Sequence, residues 1–436
     1  MIILYNVLFF IVIFAAFPLI IPIMLFSRKR RNTVLQRLGF SKFPNPKSQV
    51  RIWVHALSVG EVLSAVPLVE GLKERFSDKT IVFSASTETG FQIANTLLKE
   101  QADAIFFFPY DLIFSVRLVA KEADPALVVI VETDIWPNFL FEMKRRNVPV
   151  LLVNARLSKK SFSGYKRFSF FTESLFLKFS KVCAQSAEDA RRFKCLGVPS
   201  DSAIITGNVK FDRTDDPISE AEIESLRHSM NIEPSRKIIV AGSTHKGEEA
   251  ILSDAFSRIK KNCDLLLIIV PRDPDRAGSV CRIFKRAGFS AVTLSESGKT
   301  ESGKKTDVIV IDTIGLLRRL YGLADISYVG GSLARFGGHN PLEPAVFSKP
   351  ILFGPDMSDF AEISEMLLKS GGAIQVQDAG SFHDAVILLL TNDKKARKAG
   401  EQAFRVFHSN RGAVGRTLDV IGECLKVESE KLKVKS

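Results

Sequence analysis

The stretch IWVHALSVGEVLSAVPLVEGL, residues 52–72, decides the fold. It opens with a short apolar run at 52–54, turns at Gly60, and continues as a helical pattern. The apolar positions Val62, Leu63, Val66, Val69 and Leu72 lie largely on one helix face. The same step recurs: apolar runs follow at 81–83, 104–107, 127–131 and 150–153, and weaker ones at 182–184 and 203–205. Unbroken Val/Ile/Leu runs suit parallel strands buried on both faces, and their alternation with helical stretches predicts βαβ units.

A second series of runs occupies 238–240, 265–270, 307–311, 326–329 and 351–353. A polar, acidic stretch without strands, carrying Asp215, Asp216 and Pro217, separates the two series. The expectation is an α/β chain with two Rossmann-like domains facing a cleft: residues 28–212, a linker at 213–235, and 236–436 with a C-terminal tail. Ligands in such sheets bind beyond the carboxyl ends of the strands. The stretch SESGKTESGKKT at 295–306 reads as a surface loop, and residues 427–436 as a frayed end.

With 46% hydrophobic and 25% charged residues the chain is expected to fold rather than stay disordered. Its five cysteines, Cys183, Cys195, Cys263, Cys281 and Cys424, have no C-x-x-C spacing, which argues against a disulfide framework or a zinc site. The net charge of +12 suits either nucleic acid or anionic lipid. The N-terminus favours lipid. Residues 2–26 carry no charge, and about 20 apolar residues span a bilayer. Arg28, Lys29, Arg30 and Arg31 follow at once, so the positive-inside rule places the rest of the chain in the cytoplasm. A cleaved signal peptide would need its basic region before the apolar run. Residues 1–27 are therefore expected to form one N-terminal transmembrane helix that anchors the chain to the inner (cytoplasmic) membrane, with Pro18 and Pro22 leaving room for a kinked or partly embedded helix. Membrane lipid, not nucleic acid, is the expected macromolecular surface.

Six motifs carry candidate chemistry. In His55-Ala56-Leu57-Ser58-Val59-Gly60-Glu61, Glu61 falls in the first helical turn at the ligand-binding edge of the sheet. It is a general base there, or merely an acid matching a helix N-terminus. Glu132 ends the apolar run 127–131, so a carboxylate reaches the sheet edge, and Trp136 in the same motif offers a flat face to a sugar or lipid. Lys210, in Gly207-Asn208-Val209-Lys210-Phe211-Asp212, is a point charge for a phosphate or carboxylate, or a solvated lysine. Ala241-Gly242-Ser243-Thr244-His245 is a strand-to-helix turn able to bind an anion or simply to cap a helix. Pro271 and Arg272 follow the run 265–270, where a guanidinium can fork onto a phosphate.

The most specific motif runs from Gly330 to Pro344 and reads GGSLARFGGHNPLEP. Its four glycines let the backbone pass close to a ligand. Asn340 and Glu343 could form a capping box, yet such a box needs neither the glycines nor His339. A carboxylate there could accept both ribose hydroxyls of a nucleotide. No complete G-x-x-x-x-G-K-[ST] loop and no early G-x-G-x-x-G occur, and the only D-x-D is Asp273-Pro274-Asp275, better read as a helix start. Hydride transfer and metal-dependent sugar transfer both lose ground.

Together these segments resemble the Kdo transferases (3-deoxy-D-manno-octulosonic acid transferases), which have the GT-B fold. The markers are HALSVGE at 55–61, ETDIWPN at 132–138, VNARLS at 153–158, GNVKFD at 207–212, AGSTH at 241–245, VPRDP at 270–274, DTIG at 312–315 and GGHNPLEP at 337–344. The resemblance implies an inverting, metal-independent transfer of Kdo, without a cofactor, from CMP-Kdo to a glucosamine hydroxyl of a lipid A precursor (lipid IVA) in lipopolysaccharide synthesis. It implies Glu61 as base, with Glu132 and Lys210 stabilising the transition state. It places CMP on Pro271, Arg272, Ile314, Gly315, Leu316, Asn340, Pro341, Leu342 and Glu343. Two departures stand out: Leu316 where the family often has an acid, and Asp134 where it often has Glu.

Other readings use the same residues: a GT-B enzyme with another nucleotide sugar or lipid acceptor, a sugar-nucleotide epimerase of related fold, or a non-enzymatic membrane-tethered binding protein. An epimerase needs no anchor, and a binding protein would not need Glu61.

Overall fold

The chain was analysed as a computed structural model. It describes residues 2–26, 28–40, 51–212, 218–261, 263–297 and 305–435, with residues 13, 16–32 and 428–435 as backbone alone. It divides into two compact units, Met1–Arg213 with Arg411–Ser436, and Thr214–Asn410.

The first unit holds a seven-stranded parallel sheet. Its strands are β1 (Arg51–Ala56), β2 (Thr80–Ala85), β3 (Ala104–Phe107), β4 (Leu127–Val131), β5 (Val150–Ala155), β6 (Lys181–Ala184) and β7 (Ala203–Ile205). They are ordered β3-β2-β1-β4-β5-β6-β7. β2, β4 and β5 are buried at every residue, as their largely apolar sequences require, with Thr80, Ser84 and Asn154 as buried polar exceptions. The order reverses between β1 and β4, which pair directly, Val54 opposite Val129. That switch point is where open α/β sheets bind ligands. The helix Val59–Arg75 packs Val62, Ala65, Leu68, Val69 and Leu72 onto one sheet face. The predicted apolar stripe is thus close, but Leu63 and Val66 are only half-buried, and Ala65 and Leu68 take the core positions.

The second unit repeats the plan with β8 (Lys237–Thr244), β9 (Leu265–Pro271), β10 (Ala291–Thr293), β11 (Val308–Val310), β12 (Ile326–Val329), β13 (Ile351–Phe353) and β14 (Ala373–Gln375). The order is β10-β11-β9-β8-β12-β13-β14, all pairs parallel. Its switch point falls between β8 and β12.

The structure differs from the sequence reading in four places. The strands β10 (Ala-Val-Thr) and β14 (Ala-Ile-Gln) each end on a polar residue and so do not stand out as apolar runs. The expected linker contains the helix Glu220–Ser229, and Met230 and Ile232 after it are buried in the second unit's core, while residues 213–217 lie outside the described residues. The C-terminal segment was assigned to the second domain, and instead the helix Ala413–Lys435 packs on the first. Leu418, Val420, Ile421 and Leu425 join the core around β1, and Asp212 accepts the N–H groups of Gly412 and Val414, each at 2.6 Å. That docking buries a helix face worth about 1.5–3 kcal/mol per large apolar side chain, which sequence separation conceals.

The fourth difference is the anchor. The run is a helix, Ile2–Phe26, as expected, and the basic side chains of 28–31 lie outside the described residues. Among the described residues, however, no helix is long and apolar enough to cross a membrane. Nor does this helix stand clear of the fold: Tyr5 donates to Asp111 at 3.0 Å, and Asn6 and Asn138 exchange amide hydrogen bonds at 2.8 Å.

Candidate functional site

In the first unit the chemistry gathers at the switch point. β1 leads through Ala56 into the turn Leu57–Ser58, and Glu61 stands in the first turn of the helix Val59–Arg75. One carboxylate oxygen accepts the N–H groups of Leu57 and of Ser58, the latter at 3.2 Å. The plain helix-start role is therefore realised. A second property is superimposed on it. Burial, followed by the negative charge of Glu132, pushes the Glu61 carboxyl up to about 7, against the pull of those backbone N–H groups, and Asp134 adds to the rise.

Glu132 and Asp134 follow β4, the strand beside β1. Glu132 adopts φ 62°, the left-handed region that costs a non-glycine residue about 1–3 kcal/mol. Asp134 is held from two sides: its Oδ2 accepts from Trp136 Nε1 at 2.7 Å and lies 3.1 Å from His55 Nε2. His55 is fully buried, stacked on Phe108, with Nδ1 at Ser84. Trp136 packs near Phe108 and uses its N–H on Asp134. It is half-buried, so only part of its ring can meet a ligand.

Lys210 lies in the short helix Val209–Phe211 after β7. Its place is set by Asn154, the next-to-last residue of β5, which adopts φ 52° and accepts the Val209 N–H at 3.2 Å. Asn208 Oδ1 accepts the N–H of Lys210 itself at 3.0 Å. Glu61, Glu132 and Lys210 thus all come to carboxyl edges of one sheet, and Glu61 and Glu132 are near enough to feel each other's charge.

In the second unit the switch point joins the motifs that follow β8 and β12. His245 Nε2 lies 2.8 Å from His339 Nε2, and Phe336 stacks on His245. Burial, then the charge of Arg272, then His245, hold the His339 ring down to about 4, so it stays neutral at physiological pH. Arg272 follows β9 and is exposed, its N–H bonded to Thr244 O at 3.0 Å. Pro271 is buried as the last residue of β9. Arg272 and both histidines are therefore one electrostatic neighbourhood.

A residue not singled out from sequence organises this site. Glu248, fully buried at the start of the helix Glu248–Ile259, accepts five hydrogen bonds. Its Oε1 takes the Tyr328 hydroxyl (2.7 Å) and the N–H groups of Ser332 (3.0 Å) and Leu333 (2.9 Å), and its Oε2 those of Gly331 (2.8 Å) and His245 (2.9 Å). Its neighbour Glu249, equally buried, binds Arg276 at 2.9 Å and the Thr244 hydroxyl at 3.1 Å. The two consecutive glutamates at a helix start were the available signal.

The glycines have a nearer cause than a ligand. A Cβ on Gly330 would meet Ser243 O at 2.5 Å, and Gly331 has φ +74° with His339 against it. They let β12 and its loop press against the end of β8. Asn340 Oδ1 accepts the Leu342 N–H at 3.1 Å, two residues on, ahead of the four-residue helix Leu342–Ala345, which is a local turn contact and not the Asn340–Glu343 capping box. Leu342 and Pro341 are buried, whereas Asn340 and Glu343 remain partly exposed. After β11, Ile314 is exposed, Gly315 has φ +94°, and Leu316 packs partly on the core.

Two parallel-sheet units, each with its polar residues at a switch point, define a GT-B type fold. The UDP-GlcNAc 2-epimerase of Neisseria meningitidis shares it, with a TM-score of 0.57 at 14% identity, covering 86% of this chain and 100% of that one. The sequence profile described as 3-Deoxy-D-manno-octulosonic-acid transferase (kdotransferase) matches residues 32–213. A 3-deoxy-D-manno-octulosonic acid transferase of Haemophilus influenzae is 34% identical over 402 residues, 91% of this chain and 92% of that protein. One of Rickettsia felis is 33% identical over 392 residues, 88% of this chain and 82% of that protein. The chain belongs to the Kdo transferase family of glycosyltransferases.

Proposed function

We propose that the protein transfers Kdo from CMP-Kdo to a glucosamine hydroxyl of a lipid A precursor at the cytoplasmic face of the inner membrane. The reading rests above all on Glu61, a carboxyl pushed up to about 7 at the switch point of the first sheet, where a general base works best near neutral pH. In its ionised form Glu61 takes the proton of the acceptor hydroxyl. The freed oxygen bonds to the anomeric carbon of Kdo from the face opposite the phosphate, which inverts the configuration. The bond from that carbon to phosphate oxygen breaks, and CMP leaves as an anion.

The second unit supplies the donor contacts. Arg272 meets the phosphate charge, and the neutral His339 ring, paired with His245, stands beside it. Asn340 and Glu343, partly exposed, face the ribose or base, while the buried Pro341 and Leu342 shape the loop. The exposed Ile314 and Gly315, with the partly buried Leu316, contribute backbone groups. Lys210 stabilises developing negative charge beside Glu132, and no metal or cofactor enters the proposed transfer.

The test is mass spectrometry of the lipid after incubation with CMP-Kdo and a tetra-acylated lipid A precursor. A mass gain of one or more Kdo residues is expected. No gain with CMP-Kdo, but a gain with a UDP-sugar, would transfer the protein to another donor class.

A further inference from the structure

The N-terminal apolar helix is tied to the first unit near its start, the helix that follows it is tied at its last residue, and the two ties converge. At its start, Tyr5 donates to Asp111, a buried residue that also accepts the N–H groups of Asn138 and Phe139. Asn6 and the fully buried Asn138 exchange two amide hydrogen bonds. At the far end, after the helix Arg28–Arg37, the carbonyl of Arg37 accepts the N–H of Tyr110 at 3.1 Å and the hydroxyl of Ser115. The Arg37 guanidinium donates to Ser86 O and lies over the Phe107 and Tyr110 rings. Chain positions 5 and 37 thus close on the adjacent residues Tyr110 and Asp111.

This closure decides topology. A straight helix of 25 residues is about 37 Å long at about 1.5 Å per residue, more than the roughly 30 Å of bilayer hydrocarbon. If it crossed, Tyr5 would lie at the opposite membrane face from Arg37, and both could not bond to one folded unit. The burial pattern agrees. Ile2, Tyr5, Asn6 and Phe9, spaced i, i+3, i+4, i+7, form the half-buried face, and Tyr5 stacks on Phe171. Ile3, Leu4, Val7, Leu8 and Ile11 face outward, Ile3 76% exposed.

The outward face has a matching neighbour. Phe170, beside Phe171, is 83% exposed. The preceding helix Lys159–Arg167 carries Lys159, Lys160, Lys166 and Arg167, has no acid, and buries no residue. Apolar side chains flanked by unopposed positive charge fit the headgroup–acyl boundary of an anionic bilayer. We propose that the N-terminal helix does not cross the membrane: it lies in the interface of an anionic bilayer, with both ends on the side of the catalytic units. The inference is independent of the sugar transferred.

The full-length protein, carrying a protease-cleavable epitope ahead of Met1, is added to preformed phosphatidylethanolamine–phosphatidylglycerol vesicles and floated on a density gradient. The added protein keeps its folded units outside. It is expected to float, and protease is expected to remove the epitope from intact vesicles. An epitope protected until detergent is added would mean that the helix crosses, and would overturn the proposal. Failure to float with these vesicles would overturn the lipid surface as its partner. Neither readout depends on transfer activity, so an inactive preparation tests it equally.

Discussion

Glu61 and Glu248 occupy equivalent places: each stands in the first turn of the helix that follows the first strand of its sheet, at the switch point. Their surroundings are opposite. Glu248 is saturated by five donors and fixes the turn after β12. Glu61 receives two backbone N–H groups and is opposed by the charges of Glu132 and Asp134. The same helix start thus yields a structural clamp in one unit and, in the proposed mechanism, a proton acceptor in the other. The facing groups decide which, because an ionised carboxylate is stabilised by donors and destabilised by like charge. Substitutions at these two positions should therefore fail in different ways.

The largest effect is expected for Glu248→Gln. An amide nitrogen on either side leaves at least two buried N–H donors without an acceptor, at about 1–3 kcal/mol each. Calorimetry should show a stability loss of about 2–6 kcal/mol, with CMP no longer raising the melting temperature of the protein. A variant as stable and as CMP-responsive as the wild type would remove Glu248 from its clamping role.

Glu61→Gln should do the reverse. Its amide oxygen can still accept the Leu57 and Ser58 N–H groups, so the fold and the CMP response should survive. Turnover should fall by about 10²–10⁴-fold, since the amide takes no proton. A folded variant with near wild-type turnover would reduce Glu61 to a helix-start residue. Arg272→Ala probes the second region without its clamp. Losing hydrogen bonds to a charged group costs about 1.5–3 kcal/mol, which should appear when CMP-Kdo is varied and not when the lipid is varied. An unchanged dependence on CMP-Kdo would take Arg272 out of the donor site.

These contrasts also mark how far sequence reasoning reached. Twelve of the strands announced themselves as apolar runs because parallel strands are buried on both faces, and Glu61, Glu132, Lys210 and Arg272 could be found because each follows such a run. The clamp could not. Glu248 acts on Gly331 and Ser332, more than eighty residues on, through a contact that only the β8–β12 pairing creates. The glycines show the same limit: Gly330 is small for Ser243 and the end of the neighbouring strand, a contact with no local signature. The C-terminal helix and the ties of Tyr5 and Asn6 are likewise long-range events with no local signature. His55 opens its motif with no local sign of a partner, yet its contact with Asp134 joins two motifs 79 positions apart.

The smallest effect tests the electrostatic half of the comparison. The Glu61 carboxyl titrates near 7 rather than at its ordinary 4.5, with burial the first cause and Glu132 the second. Base catalysis needs the ionised form, so turnover should rise with pH through about 7. The stability linked to this group has the opposite sense: a raised folded value means that stability is present below about 4.5 and lost as pH climbs through about 7. Glu132→Gln removes one opposing charge and leaves burial in place. The midpoint of the rate profile should therefore move to lower pH without reaching the ordinary carboxylate range, and the melting temperature at pH 8 should hold or rise. The family resemblance also gives Glu132 a part in the transition state, which would lower the plateau of the profile. The plateau and the midpoint are separate readouts, so the two roles can be told apart. A midpoint that stays fixed, or moves upward, would show that Glu132 does not set the proton affinity of Glu61, and the number of donors, two against five, would then be what distinguishes Glu61 from Glu248.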